Sequence, residues 1–379
     1  MPPDTVNLTV MEKMVMLTIA HVLPPNSPVT FSLGGAVEKI VLSIADKQAS
    51  LGHQVRVFSA NENKSHERAS GLKIESVRVR LPRPFCDIEY LIKVRWRLRS
   101  QPVEILQANR SPLAAMIIGG SCRKFAAFDF FRFRWSGSAL GRVAYRYFLS
   151  RFDSISSTTE YSARATAEYL GLPQIPKVIH NGVDLAEFCV ASDKEFVLPE
   201  IMKRERIALY VGRINPQKGA RLLKPLAEAV SSEGITIIAC GPLDQFHLNS
   251  SGSGEELVGF PVHYLGVVEQ EILPSIMSAA DVLLLPTMAD EMFGMVLVEA
   301  GACGTPAIAS NIDGIPEVIG DAGLLFPAGD LTMLTEKVRQ LLNDEETLTR
   351  LSSLARTNAE KFGWDRIVDD VMAWYEEEH

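Results

Sequence analysis

The chain has 379 residues, of which 47 % are hydrophobic and 22 % charged; that balance supplies large cores, excludes disordered and fibrous classes, and at this length suits two domains of roughly 150–200 residues. Its 38 Lys and Arg against 46 Asp and Glu give a net charge of −8, which argues against a generic nucleic-acid partner. The five cysteines, at 86, 122, 189, 240 and 303, form no Cys-x-x-Cys pair, so they suggest no disulfide framework or zinc knuckle and fit a reducing, cytoplasmic compartment.

Taken in chain order, the first apolar stretch, Met14 to Val37, is interrupted by Pro24, Pro25 and Pro28, which leaves about ten apolar residues, too few to cross a bilayer. Asp4 and Glu12 precede it and no small-residue cleavage pattern follows, so it reads as a buried first strand rather than a signal peptide. Short apolar runs at Met14–Ala20, Gln54–Phe58, Glu104–Gln107 and Lys124–Phe128, then at Ile207–Gly212, Ile235–Cys240, Asp281–Pro286 and Pro306–Ala309, alternate with longer helical stretches. That is the pattern of parallel α/β units whose strands are covered on both faces. The expected fold is therefore α/β, with two Rossmann-like doubly wound domains facing across a cleft. Residues 1–184 form the first domain and 185–362 the second. A last helix in 363–379, roughly Trp364–Glu378, follows the final strand and is expected to pack back across the junction onto the first domain.

In such sheets a ligand lies beyond the carboxyl ends of the strands, so the strand-to-helix loops are where chemistry belongs. In the window from Asp281 to Ser310 a strand ends at Pro286, a polar loop reaches Glu291, and a helix is predicted to begin near Gly294. Backbone N–H groups at Gly294, Met295 and Val296, with the helix dipole, would make a phosphate site. Glu291 and Glu299 stand at different depths beside it and suit sugar hydroxyls better than an anion. Spacing alone equally allows Glu299 to be an exposed helix acid and Glu291 to serve the helix N-terminus. In Val211-Gly-Arg-Ile-Asn-Pro-Gln-Lys-Gly219 the cations Arg213 and Lys218 follow a strand and could hold a diphosphate. The loop is neither a Walker A nor a Gly-x-Gly-x-x-Gly fingerprint, and by itself it also reads as an ordinary charged surface loop.

These windows occur in one chain together with Gly34-Gly35-Ala-Val-Glu38, His180-Asn-Gly-Val-Asp184, Gly241-Pro-Leu243, the pair Glu291-(x7)-Glu299 running on to Ala-Cys-Gly-Thr-Pro306, Gly314-Ile-Pro-Glu317, Gly323-Leu-Leu-Phe-Pro327 with Asp330, and Trp364-Asp365. In that order they resemble glycosyltransferase family 4, the retaining, nucleotide-sugar-dependent enzymes of GT-B architecture. The resemblance covers nearly the whole chain, strongly from about residue 178 to 375. It implies a hexosyltransferase that moves a sugar from a nucleotide-diphosphate donor, a UDP- or GDP-sugar, to a hydroxyl of a saccharide, lipid-linked or small-molecule acceptor. No separate cofactor or metal is implied. Arg213 and Lys218 match the residues on the donor diphosphate, Glu299 the acid on the ribose, and Glu291 the acid at the donor sugar. Backbone at Phe293, Gly294, Met295 and Val296 would meet sugar and phosphates, Val267 and Val268 the base edge. Gly34 and Gly35 match the loop that closes over the phosphates beside the acceptor in the first domain.

Two positions depart from the family pattern. Phe128 stands where many members carry a histidine that touches the donor sugar, so either the donor sugar differs or that contact comes from elsewhere, for example Asp129 or His21, and Met292 replaces a frequent glycine. His180 reads as structural. A sugar-nucleotide epimerase or hydrolase, or a non-enzymatic carbohydrate-binding protein, is the alternative reading.

The net charge also hides a division. Residues 1–185 hold 24 Lys and Arg against 15 Asp and Glu, while 186–379 hold 14 against 31. Basic residues concentrate in Arg78–Arg99 and, with ten aromatics, in Arg123–Phe152. Such a surface suits peripheral contact with an anionic membrane or an anionic acceptor; the same residues also read as core aromatics rimmed by solvated or interdomain arginines.

Overall fold

The computed structural model describes residues 16–24, 36–60, 66–82, 85–127, 138–190, 206–243, 258–259 and 261–377. The first set of elements comprises β1 (Thr18–Val22), α1 (Ala36–Ser50), β2 (Gln54–Ser59), β3 (His66–Glu67), β4 (Lys73–Ser76), α2 (Phe85–Ser100), β5 (Ile105–Asn109), α3 (Ala114–Ile118), β6 (Arg123–Ala127), α4 (Ala139–Leu149), β7 (Ser154–Ser157), α5 (Glu160–Leu170) and β8 (Lys177–Val178). They build a sheet ordered β3-β4-β2-β1-β5-β6-β7-β8, parallel except for the β3–β4 pair. The second set comprises β9 (Arg206–Val211), α6 (Leu223–Val230), β10 (Ile235–Cys240), β11 (His263–Tyr264), α7 (Leu273–Ala279), β12 (Val282–Leu285), α8 (Met295–Ala302), β13 (Ala307–Ser310), α9 (Ile315–Ile319), β14 (Gly323–Phe326), α10 (Leu331–Leu342), α11 (Glu345–Glu360) and α12 (Trp364–Glu376). Its sheet is parallel, ordered β11-β10-β9-β12-β13-β14.

The eight apolar runs become β1, β2, β5 and β6, the four middle strands of the first sheet, and β9, β10, β12 and β13, the four middle strands of the second. Middle strands of a parallel sheet are covered by helices on both faces and must be apolar throughout. Ile235–Cys240 is buried at every residue. The edge strands Lys177–Val178 and His66–Glu67 escape that demand and carry polar residues and no strand signal; Ser154–Ser157, next to the edge, is also polar and gave none.

The last helix, α12, follows the second sheet in sequence yet completes the core of the first. Trp374 and Tyr375 are buried against Phe125 of β6, each ring centroid 4.9 Å from that of Phe125. The Trp374 indole N–H donates to Ser154 Oγ at 2.8 Å, and the Tyr375 hydroxyl donates to Gln107 Oε1. Asp365 and Glu377 pair with Lys47 and Lys177. The outgoing and returning chains are bridged where Val183 N–H donates to Phe362 O at 2.8 Å. Gly182 makes that crossing fit, since a Cβ there would lie 2.2 Å from the Trp364 ring.

Trp374→Ala is expected to lower stability by about 3–5 kcal/mol, measured as a lower urea midpoint for the transition that exposes the first domain, with Trp374→Phe recovering part of the loss.

Candidate functional site at the carboxyl edge of the second sheet

From β9 the second sheet grows outward through β10 and β11, and from β12 it grows the other way through β13 and β14. Strand order therefore reverses between β9 and β12, and the loops leaving these two strands diverge around a crevice. The β9 loop passes close over the β12 loop. Gly219 has φ +76°, and a Cβ there would sit 1.8 Å from Pro286 O, so only glycine allows the approach. Met288 N–H donates to Gln217 O at 2.8 Å, and the Thr287 hydroxyl donates to the same carbonyl at 3.3 Å.

That docking brings Lys218 and Glu291 together, with Nζ donating to Oε2 at 2.6 Å. Lys218 is set by the buried Asn215, whose Oδ1 accepts from its backbone N–H at 2.8 Å. Arg213 extends from the same loop with its side chain exposed, its carbonyl accepting from the Tyr210 hydroxyl at 2.7 Å. Glu291 is fixed through its backbone: its N–H donates to Asp313 Oδ2 at 3.0 Å, and its carbonyl accepts from Gly314 N–H at 3.2 Å. A Cβ at Gly314 would lie 2.0 Å from Met292 O, so the β13 loop also demands a glycine at this contact.

Helix α8 starts after Gly294, which has φ +80°, and no side chain caps that end. The Leu297 N–H donates back to Gly294 O at 2.9 Å; those of Met295 and Val296 precede the helical bonding pattern, and with the dipole they favour an anion in the crevice. Met292 and Phe293 are buried, whereas Met295 and Val296 are partly exposed. One turn on, Glu299 is partly buried rather than an exposed helix acid. Burial pushes its pKa up to about 7; Lys39 of α1 pulls the other way and Glu187 adds to the rise. Lys39 Nζ donates to Gln270 Oε1 at 2.6 Å, and Gln270 Nε2 donates to Glu187 Oε1 at 3.0 Å, so a cation of the first domain reaches into the second. Val267 and Val268 follow β11 at the same edge, Val267 exposed and Val268 packed on the core. Gly34, Gly35, Phe128 and Asp129 lie outside the described residues.

His21 requires a correction. It is fully buried in β1 with Nε2 2.8 Å from Gln48 Oε1, and burial pushes its pKa down to about 4, so it is a neutral core histidine and no sugar contact. His180 is a packing residue, its Nδ1 2.8 Å from Thr158 O and its ring 5.3 Å from that of Phe362.

Besides the Lys39–Gln270 bond, two more contacts across the junction escaped the sequence reading. The Thr159 hydroxyl donates to Met292 O at 3.0 Å. Glu317 receives the first N–H of α5, that of Glu160, at 2.8 Å, so a carboxylate of the second domain caps a helix of the first. The motif containing Glu317 and the threonine before an acidic first turn were both visible; which helix the acid would meet was not. On the first-domain side of the junction lies a cavity of about 70 Å³ lined by Val37, Ile40, Asn109, Arg110, His180 and Trp374. Asn109 is buried there with no hydrogen-bond partner for Nδ2. Among the described residues no group of three or more His, Cys, Asp or Glu is placed to hold a metal ion.

Two Rossmann-like sheets, with paired charges at the switch point of the second, define the GT-B class of protein. Comparison with known proteins agrees. The model of Glycosyltransferase Family 4 matches residues 34–187 and that of Glycosyl transferases group 1 matches 192–358; the chain belongs to the family 4 glycosyltransferases. A phosphatidyl-myo-inositol mannosyltransferase of Mycobacterium leprae is 24 % identical over 92 % of this chain and 95 % of its own. A D-inositol 3-phosphate glycosyltransferase of Salinispora tropica is 30 % identical over 54 % of this chain, and only 46 % of that relative's length is matched. Its counterpart in Salinispora arenicola is likewise matched over 50 % of its length. Among solved structures, sucrose-phosphate synthase from Thermosynechococcus elongatus superposes with TM-score 0.80 at 19 % identity, over 94 % of this chain and 98 % of its own. Anabaena HepE, solved in complex with UDP, superposes with TM-score 0.75 at 18 % identity over 94 % and 99 %. At these identities the superpositions establish the shared fold.

Because the folded-state pKa of Glu299 is raised, its desolvation penalty is absent below about 4.5, grows between 4.5 and 7, and is full above. Glu299→Gln is therefore expected to gain stability relative to the parent as pH rises from 4.5 to 8, seen in denaturant midpoints across a pH series; a constant difference would refute it.

Proposed function

We propose that the protein transfers a hexose-type sugar from a nucleotide-diphosphate donor to a hydroxyl of a saccharide or lipid-linked acceptor, with retention at the anomeric carbon. The observation that carries this reading is the Lys218–Glu291 pair at the switch point, beside Arg213 and the uncapped end of α8. A donor diphosphate entering the crevice takes Lys218 and Arg213 as partners and the α8 N–H groups as donors. Glu291 is thereby released to accept from hydroxyls of the sugar. As the bond from the anomeric carbon to phosphate breaks, the sugar becomes oxocarbenium-like and negative charge grows on the diphosphate, where these fixed positive groups stabilise it. They supply charge that a metal ion would otherwise bring. The acceptor hydroxyl attacks from the same face, and its proton passes to the departing phosphate. Glu299, once ionised, accepts from a ribose hydroxyl.

The uridine nucleotide in the Anabaena structures makes a UDP-sugar the first donor to test. Polar groups at the first-domain cavity, Asn109 Nδ2 among them, support placing the acceptor on that side, and the acceptor of the mycobacterial relative's printed name is a lipid. All five cysteines are free thiols, which supports a reducing, cytoplasmic setting.

A panel of UDP-, GDP- and ADP-sugars is expected to yield nucleoside diphosphate with one base preferred; no release with any donor and saccharide or lipid acceptor would sink the reading, and release accompanied by free sugar alone would indicate a hydrolase. Arg213→Ala and Lys218→Ala should each slow turnover by roughly 10²–10³. Nucleotide affinity should rise with pH through about 7, and Glu299→Gln should lack that rise in a thermal-shift titration.

A further inference from the structure

The outward face of α2 carries large apolar side chains that, among the described residues, no other element covers. Phe85, Ile88, Ile92 and Trp96 recur at spacings of three and four, which places them on one face, and they are 58 %, 44 %, 42 % and 70 % exposed. The opposite face, with Tyr90, Leu91 and Val94, is already buried in the first domain's core, so the outer row is not needed to hold the helix. Helix α4 repeats the arrangement, with Leu140, Val143 and Tyr147 exposed and Leu149 alone buried among its apolar residues. Tyr145 of α4 packs on the core cluster that includes Tyr90, Leu91 and Val94 of α2, and burial together with Asp87 of α2 pushes its hydroxyl up to about 12. Met116 of α3 is exposed too, and Arg95 ties α3 to α2 by donating to Ile117 O at 2.8 Å. Uncovered apolar surface on this scale marks a contact.

Its charged surroundings identify the partner. Lys93, Arg95 and Arg99 flank the α2 row, Arg142 and Arg146 stand on α4, and Arg151 follows it; α4 has no acidic residue. The nearest acid on the outer side of α2, Glu89, is taken up by Lys93 and by the N–H groups of Arg80 and Leu81 at 2.8 Å. A second copy meeting this face isologously would oppose arginine to arginine, whereas lipid phosphates would complement them. Tryptophan, tyrosine and phenylalanine among basic side chains is also the composition favoured at the level of lipid headgroups. Among the described residues no helix is long and apolar enough to cross a membrane, so the contact would lie in the interface plane.

We propose that the α2–α4 face docks on the surface of an anionic lipid bilayer, with Phe85, Ile88, Ile92 and Trp96 entering the headgroup region and the flanking arginines on lipid phosphates. This goes beyond the transferase reading and does not need it, because docking can be read with neither donor nor acceptor present.

The test is flotation of the full chain with vesicles of phosphatidylcholine alone and of phosphatidylcholine with about one third phosphatidylglycerol. Binding is expected to the anionic vesicles, roughly tenfold weaker to the neutral ones, and lost at ~0.5 M salt. Trp96→Ala and Ile92→Glu should each reduce anionic binding at least fivefold, and Arg99→Gln roughly fivefold, with melting temperature and nucleotide-induced thermal shift unchanged for Trp96→Ala. Trp96 is the most exposed of the four, so its variant remains informative should Ile92→Glu misfold. Negligible binding to both vesicle types, parental binding by Trp96→Ala, or self-association in sedimentation velocity that Trp96→Ala abolishes would each overturn the proposal.

Discussion

The ion pair between Lys218 and Glu291 is the point on which the site depends, because it stands where strand order reverses and two loops of opposite sense must meet. A partly buried pair contributes little net stability, since the desolvation of both ions offsets their attraction. What it does supply is local neutrality: the cation faces a carboxylate that holds its position at the crevice. The backbone around it leaves little freedom, with Gly219 against Pro286 and Gly314 against Met292 at distances no side chain would permit. The two acids of the site also differ in setting, Glu291 paired with a cation and Glu299 held back from ionising by burial.

The second constraint is that the loop carrying Glu291 is not independent of the first domain. Met292, adjacent to Phe293 and Gly294, is held by the Thr159 hydroxyl, and Glu317, four residues after Asp313, caps α5. Lys39 reaches Gln270 from α1. The loop that carries Glu291 is thus braced from both sheets, the Thr159 bond falling one residue from the paired carboxylate.

Much of this was legible in the amino-acid sequence, and for definable reasons. Middle strands of parallel sheets must be apolar on both faces, so Ile207–Gly212 or Ile235–Cys240 could be read directly; the short polar strands Ser154–Ser157 and Lys177–Val178, at and next to the edge, could not. The loops with Arg213, Lys218, Glu291 and Glu299 were legible because glycine, proline and charge cluster at strand ends. Their partners were not: that Lys218 would find Glu291, that Glu317 would cap Glu160, and that His21 would sit neutral beside Gln48 are outcomes of tertiary approach between segments 27 to 157 residues apart. The burial of Glu299, which spacing left open, likewise depends on how α8 packs. The apolar rows on α2 and α4 carried a basic, aromatic signature in sequence, but only exposure distinguishes an outward stripe from a core.

The return of α12 to the first domain has a consequence for how the molecule comes into being. A nascent chain leaves the ribosome from its amino end, and domains ordinarily complete themselves in that order. Here Phe125 waits for Trp374 and Tyr375, and Gln107 for the Tyr375 hydroxyl, partners translated only after every strand of the second sheet. The amino-terminal half therefore remains an unfinished core throughout synthesis of the carboxyl-terminal half, and closing it is among the last events of folding.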